Sequence, residues 1–278
     1  MSAPMANSAW RYRPGEEPQS YRLLGVRVHA LSMEALTAAV AEGVWSGQRR
    51  IIANHNLHSI YLHQRDEKFR SFYKRARFVH VDGMSLILAA RLLGLPLRPE
   101  HRVTYVDWID PLLATAAAEG WRVLFLGSEA QVGSRGSAAL RQRHPGLMLE
   151  TLPGFFDATR DGEENRAVLR RIHAFGTQLL MVGMGMPRQE HWILDNLGDL
   201  PGCVVLTAGA AVDYAAGAIP TPPRWAGRLG LEWGFRLLAE PRRLWRRYLL
   251  EPWGVFPLLA TELVAARWRQ HPDSSGWD

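Results

Sequence analysis

Six short apolar runs set the architecture of this chain: IIAN (51–54), FVHVD (78–82), WRVLFLG (121–127), LMLETL (147–152), QLLMVGMG (178–185) and CVVLTAG (203–209). Between and around them lie helix-like stretches at 57–76, 84–93, 107–119, 129–143, 162–175 and 188–196. A strand that packs on one face only alternates apolar and polar residues, whereas these runs are apolar almost throughout and need cover on both faces. Strands of that kind alternating with helices predict βαβ units and a parallel sheet, hence an α/β fold with a Rossmann-like core.

In open parallel sheets ligands bind beyond the carboxyl ends of the strands. Polar or glycine-rich residues follow five of the runs at that end: Asn54 and Asn56, Asp82-Gly83, Gly127-Ser128, Gly183-Met184-Gly185 with Pro187-Arg188-Gln189-Glu190, and Gly209 to Asp213. Asp82 is the sharpest single candidate. It closes an apolar strand and precedes a glycine and an apolar helix, a position where a carboxylate is partly desolvated and can serve as a general base. A turn or helix-capping aspartate has the same local pattern. The loops around Gly127 and at Gly183–Glu190 can turn backbone N–H groups toward a phosphate, although a tight turn alone also accounts for their glycines. Gln189 and Glu190 suit either a sugar hydroxyl or the first turn of a helix.

Composition narrows the chemistry. The 278 residues are 47% hydrophobic and 22% charged, which is globular and excludes a disordered chain. There is one cysteine, Cys203, so neither an intramolecular disulfide nor a multi-cysteine metal site can be built. No HExxH, DxD, GxxxxGK[ST], GxGxxG or GxSxG pattern occurs, and no metal or other cofactor is expected. The net charge of +6 favours an acidic partner. The N-terminal twenty residues read as a polar tail without a signal-type apolar core. The most apolar stretch, Trp253–Ala266, is interrupted by Pro257 and Glu262 and reads as too short to span a bilayer, so a cytoplasmic chain, soluble or held on a membrane surface, is expected.

Composition changes at Pro220-Thr-Pro-Pro223. From Pro222 to Leu250 there are seven arginines, two glutamates and no lysine, and five of the eleven tryptophans lie between 224 and 269. The expected organisation is a tail over 1–20, an α/β core over 21–218 and a helical appendage over 219–278, with the sheet complete before the appendage begins. Arg242, Arg243, Arg246 and Arg247 would share an arc of about 140° on one helix. Such a cluster is a solvated face or, since arginine suits bidentate phosphate contacts and tryptophan suits lipid interfaces, a binder of anionic lipid or lipid-linked phosphate.

With these residues assembled, the chain resembles the WecG/TagA/CpsF family, glycosyltransferase family 26. The resemblance rests on N-x-N (54–56), DEKFRSFYKRARFVHVDG (66–83), RLLG (91–94), RVT (102–104), GMGMPRQE (183–190), GAAVDYAAG (209–217) and GLEWGFRLLAEPRRLWRRY (230–248). It implies an inverting, metal-independent transferase working at the cytoplasmic face of the inner membrane. A hexose or N-acetylhexosamine would pass from a UDP-sugar to a polyprenyl-diphosphate-linked glycan. Asp82 would be the base, and Asn54 and Asn56 would line the sugar pocket. Arg102, Gln189 and the appendage residues Arg236, Arg242, Arg243, Arg246 and Arg247 would bind substrate. Asp107, Gly127, Gly183, Gly185, Glu190 and Asp213 complete the expected binding set. The anionic membrane surface is an expected partner, nucleic acid is not, and an oligomer is left open. Two departures stand out: Tyr105 where the family commonly has glycine, and the 220–223 segment where it commonly has a basic one. The competing readings are an NAD or S-adenosylmethionine enzyme on the same core, and a non-enzymatic basic adaptor.

Overall fold

The computed structural model describes residues 17–228 and 230–270. The tail expected over 1–20 therefore falls mostly outside the described residues. The chain opens with a hairpin, β1 (Ser20–Leu23) and β2 (Val26–His29), followed by α1 (Met33–Ser46). Then come β3 (Arg50–His55), α2 (Leu57–Arg65), α3 (Glu67–Arg75), β4 (Phe78–Val81) and α4 (Met84–Leu92). The second half of the core runs α5 (Tyr105–Ala118), β5 (Arg122–Gly127), α6 (Ala130–Arg143), β6 (Met148–Leu152), α7 (Glu163–Ala174), β7 (Leu179–Gly183), α8 (Arg188–Asn196), β8 (Val204–Thr207) and α9 (Ala211–Ala215). The appendage holds α10 (Arg224–Arg228), α11 (Glu232–Ala239), α12 (Pro241–Trp245), a π turn over Arg246–Leu250 and α13 (Glu251–Gln270).

The six runs form one six-stranded sheet in the order β4-β3-β8-β7-β5-β6, parallel throughout. Successive residues serve opposite faces. Leu124, Leu126, Leu180, Val182 and Val205 join one apolar cluster, and Val123, Phe125, Leu179, Met181 and Val204 join the other. This is why the runs carry no polar alternation. The first face is covered by α2, α3, α4, α7, α8 and the hairpin, the second by α1, α5, α6 and α9.

Three local features depart from the sequence reading. The strand–helix alternation does not resolve the segment before Arg50, where the strands are only four residues long and α1 is bounded by a Ser32 cap and a left-handed Gly47. The helix expected over 57–76 breaks at Asp66. That residue leaves the helical conformation at φ −118° and ψ 112° and accepts from Phe69 N–H at 2.9 Å, so it ends α2 and caps α3. The third concerns the bilayer test: the continuous helical run Pro241–Ala266, 26 residues with mean hydropathy 1.3 over its best window, is long and apolar enough to cross a membrane by length and composition. Joining α12 and the π turn to the stretch from Trp253 supplies the length that the sequence reading did not credit.

That run also packs on the core. Val255 is buried in the first apolar cluster, with Leu258, Leu259 and Leu263 against it. Glu262 accepts from the N–H groups of Leu24 and Gly25, both at 3.1 Å, at the hairpin tip where both residues have positive φ. His58 on α2 pairs with Glu251. Arg102 donates to Asp107 at 3.2 Å and to Glu232 of α11 at 2.5 Å, clamping the appendage to the start of α5. Gly227 lies against this clamp: a Cβ there would come 2.4 Å from Glu232 Oε1 and 2.8 Å from Arg102 Nη2, so any side chain would have to displace the ends of both.

Candidate active site

The carboxyl ends of the strands open into a cleft of about 550 Å³. Its floor is backbone. Gly154, Gly127, Gly183 and Gly209 follow or end β6, β5, β7 and β8, neighbours in the sheet. A Cβ on Gly154 would come within 2.8 Å of Gly127 Cα, one on Gly127 within 2.5 Å of Gly183 O, and one on Gly183 within 2.3 Å of Gly209 O. The glycines are thus set by close approach of neighbouring chain segments, and a flat peptide floor results.

At one end of this floor stands Asp82. Its Oδ2 accepts from Asn54 Nδ2 at 3.1 Å and from Asn56 Nδ2 at 3.4 Å. Both asparagines line the cleft, and both also hold the carboxylate. Asn56 accepts from Ser59 N–H through its other side-chain atom and so caps α2. The Asn54 orientation is set by Thr207, whose hydroxyl accepts from Asn54 N–H at 3.1 Å and donates to Asn54 Oδ1 at 2.9 Å. β3 and β8 are adjacent, which brings these two residues together across the sequence. Thr207 was not among the expected site residues. A hydroxyl ending the apolar run VVLT was the signal available for it.

The remaining candidates divide. Gly183, Gly185, Gln189, Asp213, Arg236, Arg243 and Arg247 line the cleft. Asp213 accepts from Ser128 Oγ at 2.8 Å, and Ser128, at φ +57°, lines the cleft too. Gln189 donates to Glu190 Oε1 at 2.7 Å, while Gln189 Oε1 is buried and has no hydrogen-bond partner among the described residues. Glu190 lies behind it, fully buried, and burial pushes its carboxyl up to about 8, so it is protonated at neutral pH. Arg102 and Asp107 are not cleft-lining; they pair with each other in the clamp. Gly127 does not line the cleft; it lies packed against Gly183 and Gly154, which do. The arginine quartet is split: Arg243, ion-paired with Glu240, and Arg247 face the cleft, whereas Arg242 and Arg246 are exposed and do not line it. Arg236 Nε is buried and, among the described residues, has no hydrogen-bond partner, on a residue that lines the cleft. Glu232, Glu240 and Tyr214 on that wall carried no separate sequence signal, because only the docking of α11 and α12 brings the glutamates there.

Among the described residues no three His, Cys, Asp or Glu side chains converge to hold a metal ion. A cleft lined by both an amide-held carboxylate and three arginines of the appendage suits a neutral polyol that carries a phosphate. The model of the glycosyl transferase WecG/TagA/CpsF family matches residues 21–270. The chain belongs to that family. Two relatives carry the name N-acetylglucosaminyldiphosphoundecaprenol N-acetyl-beta-D-mannosaminyltransferase, from Staphylococcus aureus strains MRSA252 and NCTC 8325 / PS 47. Each is 28% identical over 180 residues, covering 65% of this chain and 68% of the relative. Membership of a glycosyltransferase family displaces the oxidoreductase, methyltransferase and adaptor readings and agrees with the absence of a GxGxxG turn. The match takes in nearly all of the appendage as well as the sheet core, in keeping with the clamp that joins them.

Proposed function

We propose that the chain is an inverting, metal-independent glycosyltransferase that moves a hexose or N-acetylhexosamine from a UDP-sugar to a saccharide on polyprenyl diphosphate. The observation that carries this reading is the convergence of Asp82 with Arg236, Arg243 and Arg247 on one cleft. The acceptor hydroxyl oxygen attacks the anomeric carbon of the donor, its proton passes to Asp82, and the bond from the anomeric carbon to the diphosphate oxygen breaks as UDP leaves from the opposite face. The arginines offset the charge that develops on the departing diphosphate, the role that pre-placed donors fill most effectively in a water-poor site. The acceptor assignment draws on the S. aureus relatives, whose name specifies a GlcNAc-diphosphoundecaprenol acceptor.

We place the enzyme peripherally on the cytoplasmic face of the inner membrane. Trp225, Trp233, Leu238, Leu250, Trp253 and Phe256 of the appendage are each at least 45% exposed, and Arg242 and Arg246 add outward positive charge. Tryptophan and arginine on one appendage suit an anionic interface. Incubating the protein with a panel of UDP-sugars and a GlcNAc-diphosphate-lipid acceptor, with and without excess EDTA, tests the whole reading. Transfer should survive chelation and give a product of inverted anomeric configuration. No transfer from any UDP-sugar, or loss on EDTA with recovery on Mg²⁺ or Mn²⁺, would overturn it.

A further inference from the structure

Tyr105 is the first residue of α5, and its ring is fixed on two sides. Trp108 lies at a centroid distance of 5.4 Å and His80 at 6.2 Å. Trp108 is itself pinned, donating to Thr37 Oγ1 at 2.8 Å. Tyr105 is only 8% exposed, yet it lines the cleft together with Thr104, Val106 and Asp82. Its hydroxyl is buried and, among the described residues, has no hydrogen-bond partner. Buried phenols in folded proteins nearly always have one, since an orphaned donor forfeits its hydration for nothing. A rigid ring at the wall of a substrate cleft, its unpartnered O–H buried within electrostatic reach of Asp82, is arranged for a partner that arrives with the substrate.

The surroundings say what kind of partner. Asp82 shares the same end of the cleft, and Asp107 and Glu232 lie on the clamp beside it, with Arg102 already committed to both of the latter. Asp82 is the charged group that acts on the Tyr105 phenol, whereas Arg236 and Arg247 act on Asp82 itself, so an anionic group placed against this hydroxyl would be set beside a carboxylate. Burial also holds the phenol well above the ordinary tyrosine range, so it remains a donor at any working pH. The missing acceptor is therefore uncharged.

We infer that the Tyr105 hydroxyl is a specificity-determining donor to an uncharged oxygen, a ring hydroxyl or an acyl carbonyl, of the sugar that faces Asp82. This rests on the reading of the cleft as a glycosyl-transfer site. The diphosphate arginines belong to the appendage wall and Tyr105 to the sugar end, so its contribution falls on sugar recognition and leaves nucleotide binding untouched.

The test is Tyr105→Phe, which keeps the ring and removes only the hydroxyl. Wild type and variant are compared for melting temperature, for affinity toward UDP, UDP-glucose and UDP-N-acetylglucosamine, and for kcat/KM with a short-lipid GlcNAc-diphosphate acceptor. The melting temperature should stay level or rise, because an orphaned polar group is removed. UDP affinity should stay within about twofold, and sugar recognition should fall about tenfold, the size of one lost hydrogen bond. A loss confined to the N-acetylated donor or acceptor identifies the acyl carbonyl; an equal loss with UDP-glucose identifies a ring hydroxyl. Unchanged affinity and kcat/KM for every sugar-bearing ligand would overturn the inference alone, as would a lowered melting temperature with UDP affinity falling in parallel. A wild-type protein that binds no UDP-sugar and transfers none would remove the glycosyltransferase reading, and this inference with it.

Discussion

Asn54 donates its side-chain amide to Asp82 Oδ2 at 3.1 Å, and its Oδ1 accepts from Thr207 Oγ1 at 2.9 Å. A flipped amide would set its oxygen against the Asp82 carboxylate, two acceptors facing each other. With Asn56 also donating to Oδ2, that oxygen is held by two amides and Oδ1 is left free of hydrogen bonds from the described residues. Asp82 is thus oriented by a chain of hydrogen bonds that runs from β8 through β3 to the end of β4.

Asp82→Asn should leave UDP affinity unchanged and lower kcat by about 10²–10⁴, the usual cost of a lost general base. Single-turnover kinetics with saturating donor measure this directly. A variant within threefold of wild type would demote Asp82 to a turn residue.

Thr207→Val keeps the shape and removes both hydrogen bonds to Asn54. The unfolding free energy should drop by about 1–3 kcal/mol, since two buried Asn54 groups lose a partner. The rate should fall more than KM rises, because the substitution loosens Asp82 without touching substrate. Urea denaturation and steady-state kinetics on one preparation separate the two effects, and a pure KM change would count against the positioning role.

The two arginine pairs should behave differently. Changing Arg243 and Arg247 to Gln should reduce transfer to a water-soluble acceptor analogue, because each lost charge-assisted contact to a phosphate is worth about 1.5–3 kcal/mol. Changing Arg242 and Arg246 should spare that reaction and weaken binding to anionic vesicles by about 1 kcal/mol per residue. Equal behaviour of the two pairs in both assays would mean that the split seen at the cleft has no functional consequence.

Stability should peak near neutral pH. Burial lowers His29 to about 4, His55 to about 3 and His80 to about 4, so the unfolded chain takes up protons below pH 6.5 that the fold refuses. Each such group removes up to about 1.4 kcal/mol per pH unit as the pH falls. Glu190 acts in the opposite direction: burial raises it to about 8, so the fold keeps a proton that the unfolded chain has lost, and stability declines as pH rises from 4.5 toward 8. The histidines outnumber it on the acid side. Denaturation at pH 5, 6.5 and 8 should show a steep acid loss and a shallow alkaline one, and Glu190→Gln should flatten the latter. Equal stability at pH 5 and 6.5 would show that the buried histidines protonate within the fold.

Truncation after Ala218 should not leave the intact core that the sequence reading expects. It uncovers the surface on which Val255, Leu258, Leu259 and Leu263 pack, and it strips Glu262 from the positive-φ hairpin tip. The melting temperature should fall by several degrees and transfer should cease, since Arg236, Arg243 and Arg247 go with the deleted segment. A truncated chain as stable as the full one would show that the appendage is energetically separate.

The six apolar runs, their parallel pairing and the polar residues at their carboxyl ends are legible in the chain, because double-sided burial and the strand–helix rhythm are local patterns. Asp82, Asn54, Asn56 and the glycine-rich turns follow from position at a strand end alone. What no local pattern carries is which strand lies next to which. The β3–β8 adjacency makes Thr207 the partner of Asn54, and the close passage of neighbouring strands gives the glycines their steric necessity. Helical spacing groups four arginines on one arc, but only docking against the core divides the cleft pair from the exposed pair. Arg102 reads as a substrate ligand in the sequence and as a clamp once Glu232 is brought to it, and Tyr105 acquires its unpartnered hydroxyl only when Trp108 and His80 close around the ring. Periodicity is a property of neighbours along the chain, whereas hydrogen-bond partners are chosen by neighbours in space.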